Sequence, residues 1–180
     1  LKLNKNYEKL QLNSMFLGPE DNDIDISKNL ENSIGMTNKN FKIIKFKDHK
    51  EMTLNVAKDL NEGLIVAWHH GRMEFGPRAL GNRSILGNPS LSNIKEIINS
   101  KIKNREEFRP FAPSVLEEHA DDYFILQKNM DYRFMNVICD TRTEKRNFIL
   151  GVVNIDQTSR PQLVNKYSSP LYHQLISEFY

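Results

Sequence analysis

The sequence predicts an α/β domain in which a twisted mixed sheet is flanked by helices. Segments with apolar residues at helical spacing alternate along the chain with short apolar runs that are typical of strands. The 180 residues, of which 39% are hydrophobic and 27% charged, suit one globular domain with a core of its own. A bilayer-spanning helix needs about 20 consecutive apolar residues, and the sequence contains no such run.

The first half of the chain predicts two helices and two strands. Ile26, Leu30 and Ile34 recur every fourth residue and predict a helix over 25–34 that ends at Gly35. The segment 41–46, Phe-Lys-Ile-Ile-Lys-Phe, has the character of a strand. Asp48 with Glu51 forms a capping-box pattern, which predicts a second helix from there to about residue 63. The uninterrupted apolar run 64–68 is typical of an interior strand that is covered on both faces.

The second half predicts two helices and two further strands. Isoleucines at 94, 97, 98 and 102 have helical spacing and predict a helix over 93–103. The segments 133–140 and 148–155 have the character of two strands joined by the charged segment 141–147. Pro170 is expected in the first turn of a last helix over 171–179, because proline is favoured at that position.

The charge is unevenly distributed although the net charge is only +2. Residues 69–109 contain eight Lys/Arg and four acidic residues, whereas 20–31 contain five acidic residues and Lys28. Glycines are concentrated in the same basic region, and such a surface suits a polyanion or a phosphorylated small molecule. The single cysteine, Cys139, has apolar neighbours and predicts a buried thiol in a reducing cytoplasm.

The segment 71–84, Gly-Arg-Met-Glu-Phe-Gly-Pro-Arg-Ala-Leu-Gly-Asn-Arg-Ser, packs three glycines, three arginines and one carboxylate into fourteen residues. Glycine permits tight turns and close approach of the backbone, and Pro77 fixes its own φ. Guanidinium forks on such a rigid loop are suited to binding carboxylate or phosphate groups. The alternative is a structural turn whose arginines lie in solvent, and the composition favours the binding site.

A second basic cluster follows the isoleucine helix. Lys103 and Arg109 lie six residues apart and, with Arg78, are expected to converge on one anionic ligand. The alternative is that these charges complement the helix dipole, which explains Lys103 better than Arg109. His69 and His70 do not predict a metal site, since adjacent strand residues point to opposite faces. No metal is expected in this chain.

Together these segments resemble the C-terminal domain of the NodU/TobZ-like O-carbamoyltransferases, from residue 17 to the end of the chain. The blocks 71–86 and 102–118 carry the resemblance. A third block, 154–162, is similar to the family's H-x-D-G-T-x-R-x-Q stretch, with Asn154 in place of the histidine and Gln157 in place of the glycine. The resemblance implies that 17–180 form this domain, truncated at its C-terminus, and that 1–16 are a poorly ordered extension.

The resemblance also implies a YrdC-like fold and a reaction. Carbamoyl phosphate and ATP would react here to give carbamoyl-adenylate and pyrophosphate. A separate N-terminal, metal-dependent domain would pass the carbamoyl group to a hydroxyl of a small molecule or sugar, so the isolated chain is expected to be inactive. The implied catalytic residues are Arg78, Lys103 and Arg109. The implied substrate- and nucleotide-binding residues are Arg72, Gly76, Arg83, Arg105 and Arg160.

Two other functions are compatible with the sequence. A nucleic-acid-binding module of YrdC-like fold would show an affinity that falls steeply with salt. Aromatic residues are not interleaved with the cations of 69–109, which counts against that function. A non-catalytic interaction domain would bind neither nucleotide nor carbamoyl phosphate at millimolar concentration.

Overall fold

The computed structural model describes residues 12–36 and 42–180, so most of the predicted extension 1–16 lies outside the described residues. The α-helices are α1 (Asp23–Met36), α2 (His49–Asn61), α3 (Ile94–Ile97), α4 (Ala120–Tyr123) and α5 (Pro170–Phe179). A π-helix, Ile98–Lys103, continues α3, and 3₁₀-helices lie at Glu117–His119, Thr143–Phe148 and Leu150–Val152. The strands are β1 (Val66–His69), β2 (Arg83–Leu86), β3 (Ser114–Leu116), β4 (Phe124–Ile125), β5 (Cys139–Thr141), β6 (Thr158–Ser159) and β7 (Gln162–Val164).

The strands form three small sheets. β1 pairs with β2 antiparallel, β3 pairs with β7 parallel, and β4, β5 and β6 form an antiparallel sheet in that order. The mixture of helices and strands confirms the predicted α/β class. The expectation of one twisted sheet is wrong for the described residues, because strands of two to four residues leave the three ladders separate.

The predicted helices are confirmed. The capping box of α2 is reciprocal, since the Asp48 carboxylate accepts from the Glu51 N–H (2.9 Å) and the Glu51 carboxylate accepts from the Lys47 N–H (2.8 Å). α5 begins at Pro170 as expected. α1 passes through Gly35 to Met36 instead of ending there, and its first apolar residues are exposed.

The four predicted strands are wrong in whole or in part. Within the described ranges β1 has a single neighbouring strand, β2. It alternates between half-buried Val66, exposed Ala67, buried Trp68 and exposed His69, so the run 64–68 is not an interior strand there. Residues 42–46 have no regular structure, and Phe41 lies outside the described residues. Of the predicted strand 133–140, only the end is found, in β5, and 148–155 contain a 3₁₀-helix instead.

In the part of the chain that the structure describes, buried apolar residues form two cores. The first core joins α2, β1, β7 and α5 and contains Ala57, Leu60, Trp68, Val164, Leu171, Tyr172 and Leu175. The second core contains Val115, Ala120, Phe124, Tyr132, Cys139, Ile149 and Val152. Burial, and to a lesser degree the Asp140 carboxylate, raises the pKa of the Cys139 thiol to about 11, which confirms the predicted buried thiol. Among the described residues, no helix has the length and apolarity needed to cross a membrane.

Candidate functional site

The glycine- and arginine-rich segment is the connection between β1 and β2. We call residues 71–82 the Arg78 loop. The ladder β1–β2 ends at the pair His69 and Arg83, and the His70 N–H donates to the Asn82 carbonyl at 2.9 Å, so both ends of the loop are held together. The prediction that this loop follows a strand is confirmed.

Glu74 closes the loop from inside. Its side chain is buried, and one carboxylate oxygen accepts hydrogen bonds from the backbone N–H groups of Leu80 (2.7 Å), Asn82 (2.8 Å) and Arg83 (3.1 Å). Burial by itself raises the pKa of this carboxyl, but the N–H donors outweigh burial and hold the pKa below its usual value. The Glu74 carboxylate therefore connects the two ends of the segment 75–79, which projects from the loop.

The end of the loop packs closely on the first core. Gly81 has a φ of +103°, and an added Cβ would lie 2.2 Å from the Tyr172 ring. The Trp68 indole N–H donates to the Gly81 carbonyl at 2.8 Å. Glycine is therefore required at this position both for backbone conformation and for space. The loop is held rigidly against the core, and Arg78 projects from its exposed part.

Two of the predicted ligand-binding arginines bind the protein's own backbone. Arg72 donates to the carbonyls of Gly18 and Leu17, each at 3.0 Å. It thereby holds residues 17–18 against the Arg78 loop. Arg83 donates from one nitrogen to three carbonyls at 2.8 to 3.0 Å, including that of His70, and its other nitrogen lies 3.7 Å from the Asp21 carboxylate. These contacts give both residues a structural part, and their binding of a ligand stays a prediction.

Arg78 and Arg160 both have unused hydrogen-bonding capacity. Within the described part of the chain, Arg78 is exposed and makes neither a hydrogen bond nor an ion pair. The Arg160 Nε is buried and has no hydrogen-bond partner among the described residues. Burial lowers the pKa of Arg160, and the nearby positive charge of Arg78 lowers it further. An anion between the two guanidinium groups would satisfy the buried Nε and remove their repulsion.

The second basic cluster is arranged around Asn99, which is fully buried. Its amide nitrogen donates to the carbonyls of Glu107 (3.1 Å) and Arg109 (3.0 Å), and its oxygen accepts from Arg105 Nε at 2.6 Å. The Arg105 guanidinium also lies over the Phe111 ring. Arg109 is 3.9 Å from the Glu106 carboxylate, and Lys103 is exposed at the end of the π-helix. Convergence of Lys103 and Arg109 with Arg78 stays a prediction.

The turn before Arg160 is held by side-chain hydrogen bonds. Asp156 accepts from the backbone N–H (3.1 Å) and hydroxyl (2.7 Å) of Thr158, and Asn154 donates to the same hydroxyl at 3.0 Å. Gln157 has a φ of +69°, which is the left-handed conformation that favours glycine. Gln157 therefore holds this conformation under strain, and a glycine at this position would adopt it without strain.

Gln157→Gly is expected to stabilise the protein by about 0.5–1 kcal/mol, because relief of left-handed strain exceeds the greater chain entropy of glycine in the unfolded state. Urea unfolding followed by circular dichroism measures the difference. Gln157→Ala is the matched control, since it removes the same side chain and keeps the strain. Equal stability of the glycine and alanine variants would contradict the assignment of strain to this residue.

Three features complete the description of the site. Two adjoining cavities of about 140 and 270 Å³ lie beside β3 and α5, the smaller one also beside β2, and their linings contain none of the predicted cations. The described residues contain no group of three or more His, Cys, Asp or Glu side chains placed to hold a metal ion. Sequence reasoning missed the roles of Glu74, Asn99 and Gln162, although Glu74 could have been singled out as the one carboxylate within 71–84.

Comparison with known proteins finds relatives in bacteria and in an archaeon. Nodulation protein NolNO of Sinorhizobium fredii is 42% identical over 72% of this chain, and a 3'-hydroxymethylcephem-O-carbamoyltransferase of Streptomyces clavuligerus is 35% identical over 69%. An uncharacterized protein of Methanocaldococcus jannaschii, MJ1051, is 35% identical over 98% of the chain. The chain spans only 19%, 23% and 33% of these three relatives, respectively. The family model for the carbamoyltransferase C-terminus matches residues 57–180, and the chain therefore belongs to the carbamoyltransferase C-terminus family.

Proposed function

We propose that this chain is the carbamoyl-adenylate-forming domain of an O-carbamoyltransferase and that Arg78 and Arg160 bind its anionic substrates. The observation that carries the proposal is the buried Nε of Arg160, which has no hydrogen-bond partner among the described residues, beside the exposed guanidinium of Arg78. Two like charges that are close together and not neutralised by a carboxylate favour a ligand with phosphate or carboxylate oxygens.

In the proposed reaction, carbamoyl phosphate is hydrolysed to carbamate and phosphate. A carbamate oxygen then attacks the α-phosphorus of ATP, the bond to the β-phosphate oxygen breaks, and pyrophosphate leaves with the electron pair. Both reactants are anions, and negative charge increases on the transferring and leaving groups. Fixed cations such as Arg78 and Arg160 offset the repulsion and stabilise this charge without reorganising during the step.

The supports of the Arg78 loop agree with this function. Cations stabilise a transition state best when they are already in place, and here Glu74, Trp68 and Tyr172 hold the loop. Lys103, at the end of the π-helix, and Arg109, in the loop that Asn99 holds, complete the proposed cation set. The acceptor of the carbamoyl group, a hydroxyl of a small molecule or sugar, is proposed to meet a separate metal-dependent domain.

Calorimetric titration of the chain with pyrophosphate, ATP and carbamoyl phosphate tests the proposal. Arg78→Ala and Arg160→Ala are each expected to weaken pyrophosphate binding by at least about tenfold, because a hydrogen bond to a charged ligand contributes about 1.5–3 kcal/mol. Lys58→Ala is the matched control: it removes one positive charge from α2, where Lys58 contacts Glu62 at the surface, and should leave the affinity unchanged.

Three outcomes of these titrations would contradict the proposal. Failure of the wild-type chain to bind any of the three ligands at millimolar concentration would overturn the proposal and favour an interaction domain. Equal affinities of the two arginine variants and the control would show that the arginines do not form the site. Tighter binding of single-stranded nucleic acid than of pyrophosphate, with a steep salt dependence, would favour the nucleic-acid-binding module.

A further inference from the structure

Gln162 connects the two backbone segments that carry the arginines of the site. Its amide nitrogen donates to the Leu80 carbonyl at 2.7 Å, and Leu80 is two residues from Arg78. Gln162 itself is two residues from Arg160, at the start of β7. The side chain is 3% exposed, so water does not compete effectively for this hydrogen bond. One side-chain hydrogen bond therefore joins segments that are 82 residues apart in sequence.

The other end of the Gln162 amide is also fixed. Its oxygen accepts from the Ser114 hydroxyl at 3.1 Å, and that hydroxyl accepts from the Tyr172 hydroxyl at 2.8 Å. The Tyr172 ring in turn packs against Gly81. Burial raises the pKa of the Tyr172 hydroxyl to about 12, so it remains a hydrogen-bond donor at neutral pH. The Gln162 amide consequently has one orientation, with its donor directed at Leu80.

The hydrogen bond between Gln162 and Leu80 restrains the distance between the two segments that carry the arginines. The guanidinium groups of Arg78 and Arg160 repel each other when no anion lies between them, so the segments that carry them tend to separate. Each arginine is two residues from the link, a distance of about 6.5 Å along extended backbone. Movement at the link would therefore change the separation of the two guanidinium groups directly.

We infer that Gln162 is a positioning residue that sets the separation of Arg78 and Arg160 and thereby lets both bind one anion. The inference rests on the proposed function, since it assumes that these two arginines share a ligand. Gln162 itself does not contact the ligand in this arrangement. It acts through the Leu80 carbonyl, and its contribution is expected in the cooperation between the two arginines.

A double-mutant cycle in two backgrounds tests the inference. Pyrophosphate affinity is measured for Arg78→Ala, Arg160→Ala and the double variant, first with Gln162 present and then with Gln162→Met. With Gln162 present, the two losses should be strongly non-additive, because one ligand contacts both groups. With Gln162→Met, the affinity should fall about tenfold and the two losses should become additive within about twofold, since the arginines then act separately.

Two further variants separate positioning from stability. Gln162→Glu has nearly the same shape but cannot donate to the Leu80 carbonyl while ionised, so it should reproduce the loss of coupling if Gln162→Met fails to fold. Tyr172→Phe removes the hydroxyl at the far end of the network but leaves both partners of the Gln162 amide in place, so its coupling should fall less than that of Gln162→Met. Thermal unfolding monitors the fold of each variant.

The outcomes distinguish failure of the proposed function from failure of the positioning role of Gln162. If neither arginine variant weakens pyrophosphate binding, the proposed function fails. If both weaken it but the coupling between them is the same in the wild-type, Gln162→Met and Gln162→Glu backgrounds, the proposed function stands and the positioning role is wrong.

Discussion

Gly81→Ala is expected to destabilise the protein by about 4 kcal/mol, which is a large fraction of the roughly 5–15 kcal/mol typical of a domain. The left-handed backbone conformation costs a Cβ-bearing residue about 1–2 kcal/mol. The new Cβ would also lie 2.2 Å from a ring carbon of Tyr172, and forcing such a contact in a packed core costs about 1–3 kcal/mol. Urea unfolding gives the difference, provided that the slope of the transition is unchanged.

Gly87→Ala is the matched control for this prediction. Its added Cβ would lie 2.9 Å from Cγ1 and Cδ1 of Ile94, so it crowds a neighbour as well, but its backbone is not left-handed. The expected loss is about 1–3 kcal/mol, the range of overpacking without backbone strain. A Gly81→Ala loss no larger than that of the control would contradict the close packing of Tyr172 on the Arg78 loop.

Glu74→Ala is expected to destabilise the protein by about 3 kcal/mol and to weaken anion binding. The substitution removes the common acceptor of three backbone N–H groups, and each buried donor left without a partner costs about 1–3 kcal/mol. Water that enters the loop would recover part of this loss. Glu74→Gln keeps an acceptor oxygen of the same reach, so its loss should be about half as large.

The charge of Glu74 makes its contribution depend on pH. The pKa of this carboxyl in the folded protein lies below its ordinary value of 4.5, so folding favours the ionised form. The stabilisation is complete above pH 4.5 and is lost as the pH falls through the lower pKa of the folded state. Unfolding of wild type and Glu74→Gln between about pH 3 and pH 7 should therefore give curves that converge at the acid end. A constant difference would contradict the assignment.

The helices were predictable because their signals are local. Asp48 and Glu51 specify the start of α2 within four residues, and Pro170 does the same for α5. The strands were not, since ladders of two to four residues are too short for an alternating pattern to be read. The β3–β7 ladder joins residues 48 positions apart, and nothing local to either segment indicates the partner.

In the candidate site too, local features could be predicted from the sequence and long-range contacts could not. Composition alone located the Arg78 loop and the cluster around Arg109. It could not tell which arginines have free guanidinium groups, because Arg72 and Arg83 are engaged by carbonyls that only the tertiary structure brings near. The connection from Gln162 to Leu80 joins residues 82 positions apart, so it could not be read from either segment.

The two arginines are attached to different cores. The Arg78 loop rests on Trp68 and Tyr172 of the first core, whereas Arg160 follows Ser159, which pairs with Cys139 of the second core. A ligand bound by both arginines would bridge the cores and suppress fluctuations that change their relative position. Ligand binding would then be linked to the free energy of unfolding, because saturating ligand would stabilise the native state. Conversely, any substitution that loosens one core against the other would weaken binding without touching the site.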